Sequence, residues 1–590
     1  MFLRKRVRKK NGKKYRYWSI VENRRLACGK SAQKHILYLG ELNDAQRAGW
    51  VRAIDALDDA HPQNAHTQLA LFPDDRTELP ALEIPIVKIH IDRIALHRPR
   101  QFGACWLAMH MWDRLGLDSF WTPRLRPSRQ NTHWLHVLKT LVAYRLIDPG
   151  SEWRLHRQWL DDSAMSDLLD RDASMAHKDN LYRCLDKLLD HRDEMFQFLR
   201  PRWAALFQER YDVLLYDLTS TYFESDPPEQ PTSSKKRFGY SRDRRSDCVQ
   251  VVIALVVTPN GFPLAYEVLP GNTRDTSTLR AFLDRIEAQY GKRDRVWIMD
   301  RGIPTEAILE EMRADGVSYL VGTPKGRLSE LESTLLEKPW TEVRESVRVK
   351  LLPQSGEFYV YVESQDRVAK ERSMRRRRLR RLWTRLHELR QMKQTRDQLL
   401  MRLGAARKEA GRAWSLVEVK TPAKNEEVNP ETWSFSLRTD KLRQVYRREG
   451  RYLLRSNMVC EKPERVWEQY LTLTQVEQAF KDLKGDLSIR PIYHQKESRI
   501  EAHIFVAFIA YCLQATLRQM ARQHAPGLTS RTILEKFKTI QMVDVDLPTT
   551  DGRRIHLSRR TEPNSELALL LYRMNLRLPP QPPPRIASEQ

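Results

Sequence analysis

The feature that most constrains this chain is a change of hydrophobic period at Tyr211. Before it, residues 152–207 place Leu155, Trp159, Leu168, Leu181, Leu185, Phe196, Leu199 and Trp203 at helical spacing. After it come runs rich in β-branched and aromatic residues. Residues 213–223 form the first and 248–258 the strongest, and a Pro259-Asn260-Gly261 turn leads into 262–269. These read as a three-strand meander. Residues 278–290 then return to helical spacing, 295–300 read as a fourth strand, 305–314 as a helix and 317–322 as a fifth strand.

Three meandering strands followed by helix, strand, helix and strand is the order of a ribonuclease-H-like core. The expected architecture is therefore an α+β/α/β multidomain chain. It has a ribonuclease-H-like catalytic core and a β-rich insertion carrying a long basic helix, preceded by a helical module. The 590 residues divide as follows. Residues 1–60 are a basic arm with strand-like segments at 14–21 and 35–40, and 61–94 are a linker. Residues 95–208 are an all-helical, DNA-binding module, and 209–322 are the first part of the core. Residues 323–465 are the insertion, with strand-like pieces around a single basic helix at 368–414. Residues 466–525 are the second part of the core, and 526–590 end in a proline-rich tail.

Charge separates these pieces. The formal net charge is +25. Residues 1–34 hold 13 Lys/Arg against Glu22 alone, and 367–412 hold 17 against four acids. The remaining residues balance. Two compact basic segments on a neutral body are the electrostatic footprint of a polyanion binder, here nucleic acid. No apolar signal core opens the chain. The longest apolar stretch, 504–513, is short of the ~20 residues a bilayer requires. Six scattered cysteines argue for reduced thiols rather than zinc clips or a disulfide framework. A cytoplasmic protein of a bacterial cell, nucleoid-associated when bound to DNA and without a membrane partner, is the expectation. In the basic helix, Leu379, Leu382, Leu386, Leu389, Leu400 and Leu403 follow 3,4 spacing. They suit a hairpin arm or a short coiled coil within the fold, or equally a cationic helix or dimer contact along DNA. Arg375, Arg376, Arg377 and Arg378 favour the latter.

Two aspartates stand out. Asp217 interrupts the apolar run 213–216, and Asp300 ends the run 296–299. A carboxylate in or at the end of a central strand is costly unless paired or bound to a cation. On the first and fourth strands of this order the two should lie side by side, where a divalent ion resolves their repulsion. Glu477 fits a third acid, on a helix read over 467–483. On that reading Tyr470, Leu473, Glu477 and Lys484 share one helix face. Hard oxygen ligands without a Cys or His cluster suit Mg²⁺, with Mn²⁺ as substitute, and suit in-line attack on a phosphodiester.

The segments Tyr216-Asp-Leu-Thr-Ser-Thr-Tyr-Phe223, Gly239-Tyr-Ser-Arg242, Leu269-Pro-Gly-Asn-Thr273 and Met299-Asp-Arg-Gly302 resemble DDE transposases of the insertion-sequence-4 family. So do Tyr470-x2-Leu473-x3-Glu477-x6-Lys484 and Arg490-Pro-Ile-Tyr-His494. The resemblance is nearest to the insertion-sequence-1634 branch and extends from about residue 10 to 570. It implies that Asp217, Asp300 and Glu477 are the metal-binding catalytic triad. It also implies that Tyr470, Glu477 and Lys484 match the family's Tyr-Arg-Glu-Lys signature, and that a β-rich insertion separates Asp300 from Glu477. The signature's Arg position is Leu473 here, so another basic residue must replace it. Binding and joining of double-stranded DNA, both element ends and target, and a homodimer on that DNA follow from the resemblance. A non-catalytic DNA-end-binding relative and a nuclease without joining activity are the competing readings.

Weaker phosphate-contact candidates are Arg301 and the basic loop Lys236, Arg237, Arg242, Arg244 and Arg245. His494 and His503 read as structural. Trp340, Trp414 and Trp433 lie in the insertion, where an aromatic traps a flipped base in related enzymes, but they read as core.

Overall fold

The strand Val213–Tyr222 is hydrogen-bonded on both edges: antiparallel to Gln250–Val257 and parallel to Val296–Met299. Gln250–Val257 is buried at every position, which is why it reads as an unbroken apolar run. Pro263–Pro270 completes the meander on its far edge. The helix Leu279–Tyr290 leads from the meander to Val296–Met299. Glu306–Ala314, N-capped by the Thr305 hydroxyl, follows that strand. The computed structural model describes residues 2–10, 13–25, 31–59, 87–129, 132–228, 234–243, 245–273, 278–291, 295–323, 331, 338–354, 356–424, 426–459 and 462–588. Most of the linker 61–94 therefore lies outside the described residues.

The chain divides into two compact units. The first comprises Met1–Arg6, Arg16–Val317 and Thr472–Gln590. Its centre is the helix Glu497–His524, buried around its whole circumference from Ala502 to Leu517. That helix is long and apolar enough to span a bilayer, and 94% of its apolar window is covered by the fold. Phe508 stacks on Tyr266 of the meander at 3.9 Å between ring centroids, and Trp203 donates to Thr516 at 3.2 Å. One helix thus joins the helical module to the sheet. Cys105, Cys184, Cys248 and Cys512 are buried free thiols.

Two expectations for this unit change. The module at 95–208 opens with a strand, Ala95–Gln101, which pairs antiparallel with Gln541–Pro548. Gln541–Pro548 pairs in turn with Arg553–Arg560. Val543, Val545 and Leu547 alternate with acids there, a half-buried strand signal. The basic arm also holds an unexpected strand, Phe2–Lys10, while the strand-like segments at 14–21 and 35–40 lie in the antiparallel pair Lys13–Arg25 and Ser31–Gly40.

The second unit comprises Val7–Tyr15 and Ser318–Leu471. Five of its strands run in the order Thr341–Arg344, Val347–Gln354, Glu357–Ser364, Arg451–Ser456 and Ser318–Gly322. Ser318–Gly322, expected as the fifth strand of the core, pairs with Arg451–Ser456 of this unit. The single helix expected at 368–414 is instead a hairpin. Gln365–Gln391 stops, and Arg396–Ala410 starts at a Thr395/Gln398 capping box. Leu382, Leu386, Leu389, Leu399 and Leu403 pack on one another and on Trp433 in one cluster. These leucines pack within the hairpin, while Leu400 of the expected seam is exposed.

The helix expected at 467–483 is also two helices, Pro463–Leu471 and Thr474–Lys481. The first buries Val466 and Trp467, and Trp467 donates to the Tyr452 hydroxyl at 2.8 Å within the insertion unit. The second buries Val476, Ala479 and Phe480. At about 100° per residue, Trp467 and Val476 are half a turn out of phase. No continuous helix presents both apolar faces to one neighbour, so the chain breaks at Thr472 and Leu473.

Candidate functional site

The parallel pairing sets the first feature of the site. Val213, Leu214, Leu215 and Tyr216 are in register with Val296, Trp297, Ile298 and Met299. The next residue on each strand is Asp217 and Asp300. Neighbouring strands lie ~4.8 Å apart, and in-register residues of a parallel pair face the same way. This register brings the two acids to neighbouring positions, Asp217 in the middle of its strand and Asp300 directly after the end of the other. Asp217 is half-buried and its Oδ1 accepts from the Leu218 amide at 2.8 Å. Asp300 is exposed and accepts from the Arg301 amide at 2.7 Å. Each bond helps to orient its carboxylate.

Glu477 lies in the first turn of Thr474–Lys481, a helix packed on the Asp217 strand and on Gln250–Val257. The buried face of the helix is anchored behind it. Asp482 takes a hydrogen bond from Gln478 at 2.6 Å and pairs with Arg518 of the long apolar helix. Asp486 accepts from Gln514 of the same helix at 3.0 Å. Burial pushes the Asp482 carboxyl upward, with Arg518 opposing it. These ties hold the helix by one face and leave Glu477 exposed on another.

The glycine-bearing motifs have a steric function beside this site. A Cβ on Gly239 would lie 2.0 Å from the Gly271 carbonyl oxygen, and one on Gly271 would lie 2.0 Å from that of Gln250. The Gln250 side chain donates to both Gly271 O and Tyr240 O, at 2.9 and 3.1 Å. Only backbone this close allows the two loops to share one glutamine.

The basic candidates separate. Lys236 is buried, lies over the Phe223 ring and donates to Gln495, so it is not open to phosphate. Arg245 forms ion pairs with Asp247 and Glu224. Arg375 is buried against Glu449 and the Tyr446 ring, which removes it from any DNA-facing surface. Arg376, Arg377 and Arg378 are exposed, as is Arg301. Arg237 donates to the Ser234 carbonyl, and the Arg242 amide lies 3.4 Å from the Ser220 hydroxyl. Arg244 lies outside the described residues. Tyr470 belongs to the helix of the insertion unit, 6.3 Å from the Tyr452 ring, rather than to the Glu477 helix. Lys484 sits in one turn of π-helix, Asp482–Asp486, and reaches Asp243 at 3.0 Å. Trp433 is core, as expected.

Among the described residues one trio of metal-ligating type has its donor atoms within 4.8 Å: Glu152, His494 and His503. Nothing in the sequence joins these, since 342 and 351 residues separate Glu152 from the two histidines. His494 Nε2 and His503 Nδ1 lie 3.3 and 3.4 Å from Glu152 Oε1. Arg145 Nη2 lies 3.8 Å from the same oxygen and 3.4 Å from His503 Nδ1. A cation is therefore already in place, and the donor set does not fit a metal ion. Burial pushes the His503 imidazole down to about 4. Glu152 is held well below the usual carboxylate range by its two histidine hydrogen bonds, against the opposing effect of burial. In this buried network Arg145 and Glu152 offset each other's charge beside the neutral His503 imidazole. It ties the helical module to the segment that follows the Glu477 helix.

Two family models match the chain. Residues 208–513 match a transposase DDE domain, and residues 3–67 match the N-terminal domain of IS1634 family transposases. No curated protein matches it. The DDE match covers more than half of the chain and contains both aspartate strands and the Glu477 helix. On those grounds the chain belongs to the DDE transposases, with an N-terminal segment of the IS1634 type.

Proposed function

We propose that this protein binds the terminal inverted repeats of an insertion element, cleaves the DNA strands there and joins the freed ends to target DNA. The observation that carries the reading is the parallel register of Val213–Tyr216 with Val296–Met299, each followed directly by an aspartate, Asp217 and Asp300. A ribonuclease-H-like core is the fold that this order of strands supports.

Asp217, Asp300 and Glu477 are the residues that would hold Mg²⁺ or Mn²⁺. Their all-oxygen donor set fits a hard divalent cation. Their donor atoms do not gather within 4.8 Å of one another in the manner of the Glu152 trio. A site for two ions ~3.5–4 Å apart does not require that, because the outer acids serve different ions. When bound, such ions lower the pKa of water and offset charge on the leaving oxygen. The chain supplies position. The Leu218 and Arg301 amides fix the two aspartate carboxylates, and the Asp482–Arg518 pair fixes the Glu477 helix. In the first step water adds to phosphorus and the bond to the 3′ oxygen breaks, leaving a 3′-OH. In the second that hydroxyl attacks a target phosphodiester, so one P–O bond forms as another breaks. No external energy source is needed. Lys484 and the exposed Arg301 would contact strand phosphates, and Arg376, Arg377 and Arg378 would contact duplex backbone. Action as a homodimer on paired ends belongs to the same proposal.

The test is strand cleavage and joining at the terminal repeats with Mg²⁺, comparing wild type with Asp217→Asn, Asp300→Asn and Glu477→Gln. Each substitution is expected to lower cleavage by at least ~10³-fold with DNA binding retained. Undiminished cleavage in any one would remove that residue from the triad. Cleavage without joined products would favour a nuclease, and binding without cleavage a non-catalytic relative.

A further inference from the structure

Lys484 does not point into open solvent. Its Nζ lies 3.0 and 3.3 Å from the two oxygens of Asp243, and the Arg490 guanidinium closes on the same Oδ1. The Lys484 and Asp243 side chains are each 12% exposed, and that of Arg490 is 27% exposed. Two cations thus converge on one carboxylate oxygen in a largely buried recess. Among the described residues no other carboxylate pairs with either cation, so the recess keeps a net positive charge after Asp243 is counted.

Its location matters as much as its charge. The residue before Asp243, Arg242, has its amide 3.4 Å from the hydroxyl of Ser220, three positions beyond Asp217 on the same strand. Ile492, just after Arg490, has its amide 3.4 Å from the carbonyl of Tyr222, and Arg490 lies over the Tyr222 ring at 5.7 Å. The recess therefore sits off the end of the strand that carries Asp217. Three residues of strand are about 10 Å, roughly three base steps at 3.4 Å each along a nucleic-acid strand. Leu473 leaves the Glu477 helix without a basic residue at its start, and Arg490 brings one to Lys484 from the following loop.

We infer that Lys484 and Arg490 form a two-cation subsite for one backbone phosphate of the bound DNA strand, and that Asp243 occupies that phosphate's place until DNA displaces it. A carboxylate and a phosphodiester each present charged oxygens to such a pair, and guanidinium binds either through the same fork of N–H donors. Displacement exchanges an internal ion pair for a DNA contact. The free protein thereby avoids holding two like charges together in a half-buried recess. The inference rests on the transposase reading for the identity of the strand, but its test reads binding alone.

The experiment uses the full chain and a short fluorescein-labelled DNA duplex, with affinity measured by anisotropy across a salt series. Arg490→Gln is expected to weaken binding about tenfold near 0.1 M salt and to lower the slope of log affinity against log salt by about 1. Arg490→Lys should keep the slope. Asp243→Asn, which removes the competing charge without changing shape, should tighten binding roughly threefold to tenfold. That gain should vanish in the Asp243→Asn, Arg490→Gln double variant. Unchanged affinity and slope in Arg490→Gln would overturn the subsite. Weaker or equal binding by Asp243→Asn at an unchanged melting temperature would overturn the displacement. If Asp243→Asn melts early, the Arg490→Gln and Arg490→Lys pair still decides the subsite. A wild type that binds with a steep slope yet never cuts would count against the transposase reading and leave this one standing.

Discussion

Single residues of one chemical type have different roles here, and burial is what divides them. Arg375 and Arg376 are adjacent in a basic run, yet Arg375 is buried against Glu449 while Arg376, Arg377 and Arg378 are exposed. Arg375→Ala is expected to cost about 3 kcal/mol of stability, because Glu449 loses its buried partner and keeps only Arg372 at 3.4 Å. A denaturant melt checks this. Replacing Arg376, Arg377 and Arg378 together by Ala should leave the melt unchanged and weaken duplex binding, with a shallower salt slope. His503 gives a pH prediction. Its imidazole, faced by Arg145, Glu152 and His494, is held neutral by burial down to about 4, against 6.5 when unfolded. The unfolded chain therefore takes up the proton first as pH falls. The stabilisation is complete above pH 6.5 and is lost as pH drops from there toward 4, a change of about 3 kcal/mol. Thermal melts across that interval should show it, and His503→Gln should flatten the dependence.

At the scale of elements, the hairpin in the insertion depends on leucines that a sequence pattern alone leaves free for a partner chain. Leu386 is fully buried between the two helices, so Leu386→Ala is expected to cost about 2–5 kcal/mol. Limited trypsin digestion should then cut the arginine-rich hairpin first. The break between its helices was legible in principle, since Thr395 and Gln398 have capping-box spacing. It was missed because Met392, Lys393, Gln394 and Thr395 include neither Gly nor Pro. The core strands were read closely because burial on both faces or aromatic and β-branched enrichment marks each of them. The break at Leu473 was hidden because each half keeps helical spacing. Only comparing the phase of the two apolar faces reveals it.

Over the whole molecule, charge is the most legible property and geometry the least. The basic excess in residues 1–34 predicts that deleting them flattens the salt slope of end binding. An unchanged slope would assign those contacts elsewhere. By contrast, the Glu152 network and the Asp243 recess join residues hundreds of positions apart. No local pattern encodes such meetings. Asp217 and Asp300 stand out because each interrupts or ends an apolar run, and a costly carboxylate is itself a signal.

The placement of Glu477 has a consequence for when the protein becomes competent. It follows Asp300 by 177 residues, with the insertion between them. A ribosome adding ~5–20 residues per second takes about 10–35 s to cover that interval. During it the nascent chain carries two of the three acids and no third. Under the proposed assignment of the three acids, an unfinished polypeptide in that interval holds an incomplete set and is not expected to cut.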